Sequence, residues 1–145
     1  MSEKNNNEKK KEYLRQFLEC KKAALRIEEQ IKEIELNEMC PSIQYSDMPK
    51  GSGSQKDLSD YMAKKEELLQ ELYRARYKRI ITYTDIFKRI EMLKSEDERA
   101  ILTERYINGY KWEKIACDRH IEWTQVHRIH RRALENFIIP NEEGI

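Results

Sequence analysis

Apolar positions in this chain recur in steps of three and four almost from end to end, and that spacing belongs to amphipathic helices. Tyr13, Phe17, Cys20, Ala24, Ile27, Ile31 and Ile34 form such a seam over residues 11–39, with Leu14, Leu18 and Leu25 widening it. The spacing predicts one long helix that needs an apolar partner. Residues 58–93 predict a second long helix, with Asp57 or Ser59 as its cap and Met62, Leu69, Leu72, Ile80, Tyr83, Phe87 and Ile90 on one side. Lys65 and Arg76 interrupt that side. Tyr73 and Tyr77 are expected to pack on the hairpin, and the β-branched run Ile80-Ile81-Thr82 with Thr84 would accommodate a kink.

Between these helices the pattern fails. Pro41, Pro49, Gly51, Gly53 and several serines punctuate residues 40–57, which read as a flexible connector. Gly51, Gly53 and Lys56 do not have the spacing of a phosphate loop, and no strand precedes them. Residues 1–10 are polar and read as a frayed start, their lysines as a solvated helix end.

Ser95-Glu96-Asp97-Glu98 has the form of a capping box, so a new helix begins there. It should run to about Asn108, with Gly109 as its stop and Ile101, Leu102, Tyr106 and Ile107 as its packing set. Two short helices should follow. Ile115 and Ala116 face inward on the first, Ile121 plugs the turn, and Val126 and Ile129 are the inner face of the second, which continues to about Ile138 before Pro140. Trp123, Thr124, His127, Arg128 and Arg131 then point outward, as on a helix laid in a DNA major groove. Trp112 is expected in the core.

The reading is therefore all-α: a long N-terminal helical hairpin or coiled coil over residues 1–94, and a helix-turn-helix over residues 95–140. Composition agrees, since Gly and Pro number only 4 and 3 while charged residues reach 38%. No apolar run has the length of a membrane span and no hydrophobic leader opens the chain, so the expected location is cytoplasmic. Cys20, Cys40 and Cys117 are too few and too scattered for a disulfide framework.

Net charge is only +1, but its distribution is uneven. Arg74, Arg76, Lys78, Arg79, Lys88, Arg89 and Lys94 dominate residues 74–94, and Arg119, Arg128, Arg131 and Arg132 dominate residues 119–132. Such clusters suit phosphate contacts. Arg128 and Thr124 are the candidates for base contact, because Arg can donate two hydrogen bonds to guanine and Thr can meet a thymine methyl. His127 would meet an acceptor or a phosphate. Arg131, Arg132, Lys111 and Lys114 would hold the backbone. Trp123 would pack on the sugar–phosphate edge or cover the helix pair.

Cys117 and His120 are three apart, as are His127 and His130, a spacing that suits Cys/His metal sites. With Val126 and Ile129 inward, His127 and His130 should point outward and the pairs should not converge. No metal or cofactor is expected, and Cys117 reads as a small buried hydrophobe. No nucleophile has a recognisable base, so no enzyme is expected.

Residues 95–137 resemble region 4 of bacterial sigma factors. Glu98-Arg99-Ala100-Ile101-Leu102 with Arg105-Tyr106 resembles that family's opening helix, Gly109 and Trp112-Glu113-Lys114-Ile115-Ala116 its first helix, and Arg132-Ala133-Leu134 its closing segment. The chain departs from the pattern at His120, where Gly is usual in the turn, at Arg119, where an inward Leu is usual, and at Glu122, a poor helix cap. The whole chain resembles small prophage regulators of the ArpU and RinA type. The resemblance implies a phage or prophage transcriptional regulator that activates late genes through promoter DNA, with RNA polymerase as a further partner and a homodimer reading two half-sites. A terminase small subunit, a polymerase-binding module with little DNA affinity and a purely structural coiled coil are the rival readings.

Overall fold

A computed structural model describes residues 2–39 and 53–140. Among them the fold is all-α, as the spacing predicts. Helix α1 spans Ser2–Met39, α2 Gly53–Glu91, α3 Glu96–Leu102, α4 Trp112–Arg119 and α5 Trp123–Asn136, with a wide π-helical turn, Thr103–Ile107, continuing α3. No described helix is long and apolar enough to cross a membrane.

The helix limits differ from expectation in three places. The chain is already helical at Ser2, not frayed. α2 starts at Gly53, five residues early, so the end of the expected connector is helical; residues 40–52, with Gly51, lie outside the described residues. α5 stops at Asn136 because Phe137 turns to extended backbone (φ −78°, ψ 134°), and this change carries Phe137 and Ile139 into the core.

Two compact units are present. The first combines residues 2–20 with 79–140, and the second combines 21–39 with 53–78. In the second unit α1 and α2 pair antiparallel. Ala24 and Ile31 pack with Leu68 and Leu72, and half-buried Ile27, Ile34 and Leu69 complete the cluster. Glu28–Arg76 at 2.8 Å and Glu35–Lys65 at 3.6 Å tie its edges. The basic residues that interrupt the seam thus sit at its rim. Tyr73 and Tyr77 are exposed rather than packed, because Leu68 and Leu72 occupy the hairpin face.

In the first unit Leu14 and Phe17 of α1 pack with Ile86, Ile90 and Leu93 around Leu102, Tyr106, Ala133, Leu134 and Phe137. Met62, Ile80, Tyr83 and Phe87, assigned to the seam from sequence, are all exposed. Two apolar stripes interleave along α2, and counting by three and four merges them. α2 nevertheless continues unbroken through its β-branched run, where the Thr84 hydroxyl donates to the Ile80 carbonyl at 2.9 Å. A second cluster of Ile101, Ile115, Val126 and Ile129 joins α3, α4 and α5, with Ala116 and Ile121 half-buried at its margin as expected.

Ser95 caps α3 by accepting from the Glu98 amide at 3.3 Å. The other half of the capping box is absent. The Glu98 carboxylate is buried and accepts from Asn136 Nδ2 at 3.2 Å, linking the start of α3 to the end of α5. Gly109 follows the π turn with φ +73°, as a helix stop of this kind requires.

Candidate nucleic-acid interface

α5 is held by five inward positions, Val126, Ile129, His130, Ala133 and Leu134, a stripe at i, i+3, i+4, i+7 and i+8. Its angle to α4 is set by a tight turn. His120 adopts the left-handed conformation (φ 56°, ψ 39°), and the amides of His120 and Ile121 donate back to Cys117 O and Ala116 O at 3.2 and 3.1 Å. Here His performs the role that Gly usually fills. Glu122 starts α5 without a side-chain cap. Arg119 is half-buried, and its Nε donates to Glu104 at 2.9 Å, which closes α4 onto the π turn.

The candidate residues fall in three places. Thr124, Arg128, Arg131 and Arg132 are exposed on α5 and share an arc of about 100° opposite its buried stripe. No salt bridge to the three arginines forms among the described residues. Lys111 and Lys114 are exposed at the start of α4; Lys114 pairs with Asp118 at 3.1 Å and lies 4.7 Å from the Tyr110 ring centre. The hydrogen bond that its ammonium donates to Asp118 raises its pKa. Trp123, 55% exposed, and half-buried His127 form the third group on the flank of α5.

That flank continues inward as a ladder of rings. His127 lies 4.0 Å from Trp123 and 4.8 Å from Trp112, and Trp112 lies 4.6 Å from His130. The Arg105 guanidinium sits 4.5 Å over Trp112 and donates to the Tyr110 carbonyl at 3.0 Å. Trp112 is half-buried against the α3–α4–α5 cluster, close to its expected core position. Nε2 of His127 is buried with no hydrogen-bond partner among the described residues. Burial, then the nearby Arg105, lowers its pKa.

His130 corrects the expectation that it points outward. It is 6% exposed, and its Nε2 lies 2.8 Å from the Tyr106 hydroxyl. Burial pushes the Tyr106 pKa up to about 12 and the His130 pKa down to about 4, with Lys11 adding to the latter. At neutral pH Tyr106 therefore keeps its proton and His130 is uncharged, and the two share one hydrogen bond whose direction follows the His130 tautomer. The three histidines do not share one face. Cys117 is exposed rather than buried, because Ile115 takes the inward position two residues before it. No His, Cys, Asp and Glu group able to hold a metal forms among the described residues.

Two contributors were not anticipated from sequence. Lys10, in the run read as solvated, is 4% exposed; its ammonium donates to the Leu134 and Glu135 carbonyls at 2.8 and 3.4 Å. It closes the C-terminal end of α5, where a cation suits both the orphan carbonyls and the dipole. The partners are more than a hundred residues apart, so no local signal could reveal it. Gln125 is different. It is exposed three residues before Arg128 and seven before Arg132, and helical spacing alone would have added it to the outer face.

No protein-family model, no curated protein and no solved structure matches this chain.

Proposed function

We propose that this protein is a sequence-specific DNA-binding transcriptional regulator of phage or prophage type, which activates late genes through promoter DNA and RNA polymerase. The observation that carries the reading is the outer arc of α5. Three arginines without ion-pair partners among the described residues flank a threonine on one helix face, and the opposite face is fixed to α3 and α4 by Val126, Ile129 and His130. An arginine left unpaired on a rigid helix retains its donors for a ligand, and a major groove admits one helix.

Within this reading Arg128 and Thr124 reach base edges, and Gln125 beside them can pair with adenine. Arg131 and Arg132 hold phosphates and set the register. Lys111 at the start of α4 meets the neighbouring backbone, where Lys114 must first part from Asp118. Trp123, braced by His127, packs against the sugar–phosphate edge.

The test is selection of bound sequences from a random duplex pool with purified protein at about 0.1 M salt, where phosphate contacts still register. An enriched motif is expected. Arg128→Ala should then relax preference at one position by about 1–3 kcal/mol, while Arg132→Ala weakens all sequences alike and flattens the salt slope by about one. No enrichment from the pool would overturn the reading. Equal loss of base preference in both variants would overturn the assignment of roles.

A further inference from the structure

In the second unit the outward face of α2 joins two bare aromatic rings to two cations. Tyr73 and Tyr77 are 64% and 68% exposed, the most exposed rings among the described residues. They lie one turn apart, and Arg74 and Lys78 repeat that spacing beside them, both exposed. At about 100° per residue the four side chains fill an arc of about 140°, opposite the buried Leu68 and Leu72. Neither Arg74 nor Lys78 has an ion pair among the described residues, whereas Arg76 between them is held by Glu28 at 2.8 Å. From Leu72 to Thr84 the chain carries Arg74, Arg76, Lys78 and Arg79 and no acid. We propose that this face binds single-stranded DNA, its bases stacked on Tyr73 and Tyr77 and its phosphates held by Arg74 and Lys78.

Three features select a single strand. Like charges one turn apart repel, so Arg74 and Lys78 destabilise the free helix, and the repulsion is relieved when an anion lies over both. A row of phosphates is such an anion. Second, Tyr73 and Tyr77 make no ring contact among the described residues, so their faces are free. An acidic peptide would pair with the cations and leave those rings idle, and a duplex hides the faces of its bases; an unpaired strand offers base faces and phosphates together. Third, the two rings stand about 6 Å apart along the helix axis. That exceeds the rise of about 3.4 Å per nucleotide in a duplex strand, so successive bases must be drawn apart, as only an unpaired strand freely allows. The strand is taken as DNA because α5 is read as a DNA-binding helix, and only that choice rests on the α5 reading.

The test is fluorescence anisotropy of a labelled thymidine strand of about 12 nucleotides with the full chain at about 0.1 M salt. The chain carries Arg128→Ala, Arg131→Ala and Arg132→Ala, so that α5 does not supply the binding. Strand binding is expected to persist in this background. Tyr73→Ala and Tyr77→Ala should each weaken it about fivefold or more, while Tyr73→Phe and Tyr77→Phe, which keep the ring, should not. Arg74→Gln with Lys78→Gln should flatten the salt slope by about 1.4, at about 0.7 per phosphate. All four side chains are exposed, so helix content by circular dichroism should be unchanged. No strand binding in the triple variant, or alanine variants that bind as tightly as their parent, would overturn the proposal. Displacement of the strand by polyglutamate at equal charge would overturn it as well, by assigning the face to an acidic peptide. A uridine ribonucleotide strand bound about tenfold more tightly than the thymidine strand would overturn the choice of DNA. Selection from the duplex pool reads α5 alone, so the two readings fail separately.

Discussion

Acidification should loosen the first unit, and His130 sets the size of the effect. Its pKa falls from 6.5 in the unfolded chain to about 4 in the folded one, first because it is buried and second because Lys11 lies near, with His127, Arg105 and Arg15 adding positive charge. Depression of a base's pKa means that the unfolded chain takes up the proton first as pH falls. The contribution of His130 to stability is therefore complete above about pH 6.5 and drains away toward pH 4. Between pH 7 and pH 5 the loss works out at about 2 kcal/mol, approaching about 3 kcal/mol below both values. His127, lowered in the same direction by burial, adds to the loss with the same sign. Urea unfolding followed by tryptophan fluorescence isolates the right unit, because both tryptophans, Trp112 and Trp123, belong to it. His130→Gln retains a hydrogen-bond partner for the Tyr106 hydroxyl but does not titrate, so it should lose most of the difference between pH 7 and pH 5. A wild-type stability that is flat over that range would refute the reasoning, as would a variant that falls as steeply as wild type.

Lys10→Met should cost about 1–3 kcal/mol in the same urea assay, because it leaves the Leu134 and Glu135 carbonyls without their charged donor; a neutral result would mean that the end of α5 does not need it. His120→Gly should stabilise the α4–α5 turn by up to about 1 kcal/mol, since left-handed backbone strains a residue with a Cβ more than the added chain entropy of Gly costs. Thermal melting followed by tryptophan fluorescence would reveal it, and a lowered midpoint would show that His120 supplies a contact beyond its backbone.

Local signals were legible. The spacing of apolar residues predicts helices throughout, and Ser95 and Gly109 mark the limits of α3 and the π turn because capping and left-handed backbone are decided within a few residues. The outer arc of α5 follows from the inward positions of Val126 and Ile129 by helical geometry. His130 was within reach of the same argument, for it lies one turn beyond Val126, but nothing in the sequence announced that Tyr106 would meet its ring nitrogen. A histidine can be buried only when such a partner exists.

What the sequence determined by itself was therefore the class of structure and the face on which α5 carries its arginines, both consequences of helix periodicity. Only the tertiary structure decided which of two interleaved stripes on α2 is inside, since each has helical spacing and the choice depends on what α1 and α5 present to it. It also decided that Lys10 closes α5, that Glu98 serves Asn136 instead of its own helix end, and that residues 2–20 belong with 79–140. Those are pairings between distant segments, and burial of a charge or a polar group is settled by the partner that packing brings, not by the neighbours along the chain.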